Sequence, residues 1–133
     1  MSENLDLVRS IVEPWERGDW GSVAWAHPEI EYVIADGPAP GAWRGLTGMA
    51  EGTRDIVSPW EGFRTQPEAF RELDDERVLV FTQMGGRAKT SGVDLAQVRS
   101  AGAMLWHLRG GKVARLVSYF DRDRALADLG LKE

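Results

Sequence analysis

A chain of 133 residues, 43% apolar and 28% charged, has the size and composition of one globular domain spanning residues 1–133, with enough length to bury a core. Its net charge of −5, from 16 Lys and Arg against 21 Asp and Glu, excludes the basic patch that nucleic acid or an anionic membrane surface requires. The absence of cysteine excludes disulfides, thiolate metal sites and cysteine nucleophiles.

No run of about 18 apolar residues occurs and the N-terminus lacks a signal-peptide pattern, so a cytoplasmic protein with no membrane partner is expected. Leu5, Val8, Ile11, Val12 and Trp15 recur at helical spacing and predict an amphipathic helix over 4–17, stopped by Gly18. Asp19 is placed to cap a second short helix that carries Trp20, Val23 and Trp25, and His27-Pro28 ends it. Residues 30–35 alternate as a strand, with Ile30, Tyr32 and Ile34 on one face. The next ten residues, rich in Gly and Pro, read as a loop. Thr47 then suits the cap of a helix running to about Ser58, closed by Pro59.

From Phe63 onward the chain reads as strands: 68–73 and 77–84 about the polar turn Asp74-Asp75-Glu76, then 93–98, 101–108 and 112–120. The unbroken apolar run 78–81 marks a central strand. Gly110-Gly111 makes a tight hairpin turn, and Asp121 and Gly130 frame a last helix over 122–129. Helices set apart from a mainly antiparallel sheet define an α+β fold.

Several stretches together resemble a known family. They are Arg17-Gly18-Asp19, the loop Trp43-Arg44-Gly45-Leu46-x-Gly48, Ser91-Gly92-Val93, Leu108-Arg-Gly-Gly-Lys-Val113 with Tyr119-Phe120-Asp121, and the tail Arg122-x-x-Ala125-Leu126-x-x-x-Gly130-Leu131. In this order they resemble the nuclear-transport-factor-2-like superfamily, and within it the SnoaL-like branch, over nearly the whole chain. The resemblance implies a cone-shaped α+β barrel: a curved antiparallel sheet with helices on its concave face enclosing a pocket. It also implies a homodimer through an exposed sheet face, for which Val113, Val117 and Tyr119 are the apolar candidates. The superfamily includes isomerases, cyclases, hydrolases and non-catalytic binding proteins, so the chemistry has to be read from individual residues.

Asp36 matches the place of the proton-moving carboxylate of ketosteroid isomerases, a role that needs a carboxylate beside an apolar cavity; it equally suits the start of an Asp-Gly-Pro turn. Tyr32 shares its strand face. The isomerases' protonated acid is replaced by Ala101, and Trp15 stands near their helix-one tyrosine. Ser118 occupies the place of the aspartate used by cyclases and epoxide hydrolases, while Gln83 and Gly85 replace the hydrolase Arg and Asp. His107, within a strand, is a candidate acid or base or a structural residue of the sheet edge. Two histidines without a His-Glu-x-x-His pattern give no metal site, and no cofactor fingerprint is present. The expectation is a pocket for a small apolar or carbonyl-bearing molecule. Asp36 and His107 are the catalytic candidates. Trp15, Tyr32, Trp43, Trp60, Gln83, Arg99 and Ser118 are the ligand-binding candidates. The alternative is a binding or accessory protein that keeps the cavity without catalysis.

Overall fold

The computed structural model describes residues 3–17, 24–36, 40–58, 60–88 and 101–131. Helix α1 (Glu3–Val12) gives way to a 3-10 turn, Glu13–Arg17. The predicted helix was longer; Pro14 has no N–H to donate and crowds the carbonyl one turn back, which ends regular α geometry here. Then follow β1 (Ala26–Ile34), β2 (Gly41–Arg44), α2 (Gly45–Val57), β3 (Trp60–Glu72), β4 (Arg77–Ala88), β5 (Ala101–Arg109), β6 (Lys112–Tyr119) and α3 (Arg122–Leu129). Among the described residues no helix is long and apolar enough to cross a membrane.

The six strands form one open sheet in the order β2-β1-β6-β5-β4-β3. It is mixed rather than antiparallel, because β1 pairs in parallel with β6. Such a pairing needs a long crossover, and here most of the chain lies between the two strands. His27 and Pro28, expected to end a helix, lie in β1, where Ala24–Trp25 form only a turn. The β1–β6 register shifts between Ala26 and Glu31, an irregularity that accommodates a residue without an N–H. Gly18–Val23 and the expected strand 93–98, with Arg99, lie outside the described residues.

Part of the expected Gly/Pro loop is strand: β2 zips onto β1 with Tyr32 opposite Trp43 and Glu31 opposite Arg44. The tilted Tyr32–Trp43 ring pair, 6.2 Å between centroids, gives this short edge strand a cross-strand anchor. Helix α2 begins at Gly45 with no side-chain cap, so Thr47 sits inside the first turn rather than capping it. Strand β3 reaches back to Trp60 and carries Pro67 at a register shift, where a missing donor breaks no regular ladder. The closing hairpin and tail follow their local signals: Gly110 and Gly111 have φ of 60° and 77°, the pair of left-handed residues that a tight hairpin turn requires. Asp121 accepts from Asp123 N to cap α3, and left-handed Gly130 ends it.

Two cores lie on opposite faces of the sheet. Val8, Ile11 and Val12 of α1 and Met49 of α2 pack against Val78, Val80, Trp106 and Leu116. Alternate residues Leu79, Leu105 and Val117 turn the other way and meet Ala125 of α3. The helices are thus divided between the faces rather than gathered on one. The apolar surface expected to serve a dimer is already covered within the protomer: Val113, Val117 and Tyr119 are all buried.

Candidate functional site

Between α2 and the first face of the sheet lies a cavity of about 110 Å³. Trp15 of the 3-10 turn and Trp25 close one end. They meet edge to face at 6.2 Å and rest on fully buried Trp106, at 5.7 and 5.6 Å. This aromatic stack gives the wall a rigid end. Helix α2 contributes Met49, Thr53 and Val57, one residue per turn along a single face. The sheet supplies Phe63, Thr65, Thr82, Met84 and Leu116, and Phe120 follows β6.

Among the described residues that line it, none carries a charged side chain. Their polarity comes from hydroxyls. Tyr32 on β1 and Ser118 on β6 reach the cavity because Ile34 pairs with Ser118 and Tyr32 with Leu116 in the parallel register. Burial pushes the Tyr32 phenol above the ordinary value, outweighing the neighbouring Ser118 and Thr53 hydroxyls that act the other way, so it stays protonated. Thr53 Oγ1 also donates to the Met49 carbonyl at 2.8 Å. Thr65 and Thr82 are buried on neighbouring strands.

Three of the expected ligand-binding residues, Trp15, Tyr32 and Ser118, line this cavity together. Trp43 stands behind Tyr32 and supports its ring. Trp60 and Gln83 are not among the lining residues; the Gln83 side chain hydrogen-bonds Glu68. Arg99 lies outside the described residues.

The two acid–base candidates are placed elsewhere. Asp36 follows β1, and its carboxylate accepts from the backbone N–H of Phe120 at 2.5 Å and of Asp121 at 3.2 Å. It extends the β1–β6 pairing, which Ala35 N continues to the Ser118 carbonyl at 2.9 Å. Asp36 thereby fixes the segment that carries Phe120 to the cavity and Asp121 to its cap. His107 lies in a polar row across the other face, Arg77–His107–Arg115–Glu31–Arg44. Its imidazole is held below the ordinary value by burial, then by Arg115 and Arg77. Among the described residues its buried Nε2 has no hydrogen-bond partner.

Thr53, Trp25, Phe63, Thr65, Thr82 and Phe120 were not singled out from the sequence. The i, i+4, i+8 spacing of Met49, Thr53 and Val57 was the signal available for the α2 wall. Among the described residues no group of His, Asp or Glu could hold a metal ion.

No family model matches the sequence, and no curated protein sequence matches it. Solved structures do. TerC, co-crystallised with polyporic acid, is 24% identical with a TM-score of 0.72, over 96% of this chain and 98% of that one. An NTF2-like protein of unknown function from Burkholderia pseudomallei is 22% identical with a TM-score of 0.74, over 96% and 97%. A candidate SnoaL-like polyketide cyclase from Mesorhizobium loti is 14% identical with a TM-score of 0.66, over 90% and 99%. The open six-stranded mixed sheet and three helices among the described residues, with these neighbours, identify the nuclear-transport-factor-2-like α+β cone fold.

Proposed function

We propose that this protein binds a small, uncharged, largely apolar molecule in the cavity between α2 and the sheet. The observation that carries the reading is a cavity whose described lining residues are aromatic, aliphatic or hydroxyl-bearing, with no charged side chain among them. An ionised ligand entering it would lose its hydration and find no counter-charge among these residues, a cost of several kcal/mol or more. The cavity volume, about 110 Å³, is somewhat below the roughly 150 Å³ of an engineered apolar cavity that takes up benzene. It suits a single ring or an alkyl chain of similar bulk. The co-crystallisation of TerC with polyporic acid supports reading the shared fold as a scaffold for ligands.

Acid–base catalysis by Asp36 is not part of this reading, because both its oxygens serve backbone amides. The chemistry offered to a bound molecule is hydrogen bonding by neutral hydroxyls.

The test is fluorescence titration, since Trp15 and Trp25 line the cavity and report on its occupancy. Toluene should bind and benzoate should not. Val57→Trp, which fills the cavity from a half-buried position on α2, should abolish the toluene signal. Equal binding of benzoate, or toluene binding unaffected by Val57→Trp, would overturn the reading.

A further inference from the structure

The cavity has two unlike ends. At one, Trp15 and Trp25 rest on fully buried Trp106, which the register sets beside Val78 at the start of β4. Met84 lines the cavity from near the other end of β4, about 20 Å along the strand from Val78. There the β3–β4 ladder is interrupted. Glu61 faces Arg87 and Arg64 faces Gly85, so Gly62 and Phe63 stand against Gly86 alone. Gly62 and Gly86 have φ of 62° and 141°. This two-against-one bulge takes Phe63, another lining residue, out of the regular pairing.

Methionine is concentrated at the same cavity. The chain has four, and Met49, Met84 and Met104, all except Met1, line it. An unbranched thioether has three rotatable bonds and a polarisable sulfur, so it repacks around what it touches, whereas Ile and Val are fixed at χ1. Gly102 leaves a notch for the Met84 methyl: a Cβ there would stand 2.8 Å from Met84 Cε. We infer that Met84, with Phe63 on the bulge, is the yielding end of the cavity, and that the site takes elongated apolar molecules larger than its resting volume of about 110 Å³, such as two fused rings. The tryptophan end holds its shape, and growth of the ligand displaces the Met84 side chain.

This inference rests on the cavity reading above, and the experiment separates the two. Toluene suits the resting cavity; naphthalene, larger by a fused ring, enters only if the wall moves. NMR titration gives a dissociation constant for each, with the methionine methyls labelled with carbon-13 and assigned through Met49→Leu, Met84→Ile and Met104→Leu. Naphthalene should bind the wild type at least as tightly as toluene, and up to about tenfold tighter, the gain from burying the second ring less the cost of moving Met84. It should shift the Met84 methyl more than toluene does, while both ligands shift the Trp15 and Trp25 indole signals alike. Met84→Ile, of similar volume but stiff, should leave toluene binding within about twofold and weaken naphthalene about tenfold.

Toluene binding with naphthalene weaker or excluded would overturn the inference and leave the cavity reading intact. So would naphthalene binding that leaves the Met84 methyl unmoved, or that Met84→Ile does not weaken; the wild-type shifts decide alone if that variant does not fold. A wild type that takes neither molecule would overturn both.

Discussion

Asp36→Asn separates a structural carboxylate from a reacting one. In the native chain each Asp36 oxygen accepts one backbone N–H, from Phe120 at 2.5 Å and from Asp121 at 3.2 Å. Hydrogen bonds to a charged group contribute about 1.5–3 kcal/mol. Asp36 is half-buried and the second bond is long, so both fall toward the lower end. Asparagine keeps one acceptor oxygen and turns an NH2 toward the other amide, losing a bond and opposing two donors. The expected loss is about 2 kcal/mol, and Asp36→Ala, which frees both amides, should lose about 3 kcal/mol. At this chain length roughly 3–5 °C of melting temperature goes with each kcal/mol, so Asp36→Asn should melt about 6–10 °C lower. Differential scanning calorimetry measures this, with toluene titration below the transition as the companion assay. Binding should persist, weakened through the loosened Phe120. If Asp36→Asn melted within about 1 °C of the wild type and yet abolished binding or any turnover, the anchoring argument would be wrong and the carboxylate would belong to the chemistry.

Three further perturbations test the framework around the cavity. A Cβ at Gly52 of α2 would stand 2.7 Å from Tyr32 Cδ2 and 2.9 Å from Trp43; overpacking of about 1–3 kcal/mol should outweigh the roughly 1 kcal/mol helix-propensity gain, so Gly52→Ala should lower the urea midpoint. His107, half-buried and then opposed by Arg115 and Arg77, with Asp74 and Glu31 acting more weakly the other way, is harder to protonate when folded. The unfolded chain therefore takes the proton first, and stability falls as pH drops below about 6.5, the ordinary imidazole value; melts at pH 7.5 and 5.5 should show a smaller decrease for His107→Gln than for the wild type. Arg122 joins α3 to the sheet by donating to the Gly102 and Thr82 carbonyls at 3.2 and 2.9 Å, pairing with Glu68 and lying 4.8 Å over the Phe81 ring. Arg122→Ala should cost about 2 kcal/mol and speed hydrogen exchange in α3 more than in α2; equal protection in both helices would count against this docking role.

What could be read from the sequence was what local chemistry decides. Gly110-Gly111 required a left-handed turn whatever surrounded it, and Asp121 and Gly130 could frame α3 without help from the rest of the chain. The remaining features depend on partners far away in sequence. Gly41–Arg44 looks like loop because glycine and proline crowd its approach, and it becomes strand only because Tyr32 offers Trp43 a ring to pack on. Strand alternation turns Leu79, Leu105 and Val117 away from Val78, Val80 and Trp106, but alternation cannot say which face a helix will cover. Val117 and Tyr119 therefore looked like an open interface, while α3 folds back to cover that face.

The site shows the same division more sharply. Asp36 and His107 drew attention because their side chains can move protons, a property of residue type that is independent of place. Place assigned them to a strand junction and to the opposite face. Tyr32 and Ser118 could be named as pocket residues, while Thr53, which lines the cavity with them, could not. Thr53 lies on another element, and its hydrogen is claimed by a carbonyl of its own helix. Serine or threonine bonding back to the preceding turn is usually a small local effect. Here, because a hydroxyl has only one hydrogen, it turns a cavity-lining hydroxyl into an acceptor. A substitution as mild as Thr53→Val, which removes no charge and little volume, takes an acceptor from the cavity wall and should on this argument weaken benzyl alcohol binding more than His107→Gln, on the opposite face, does.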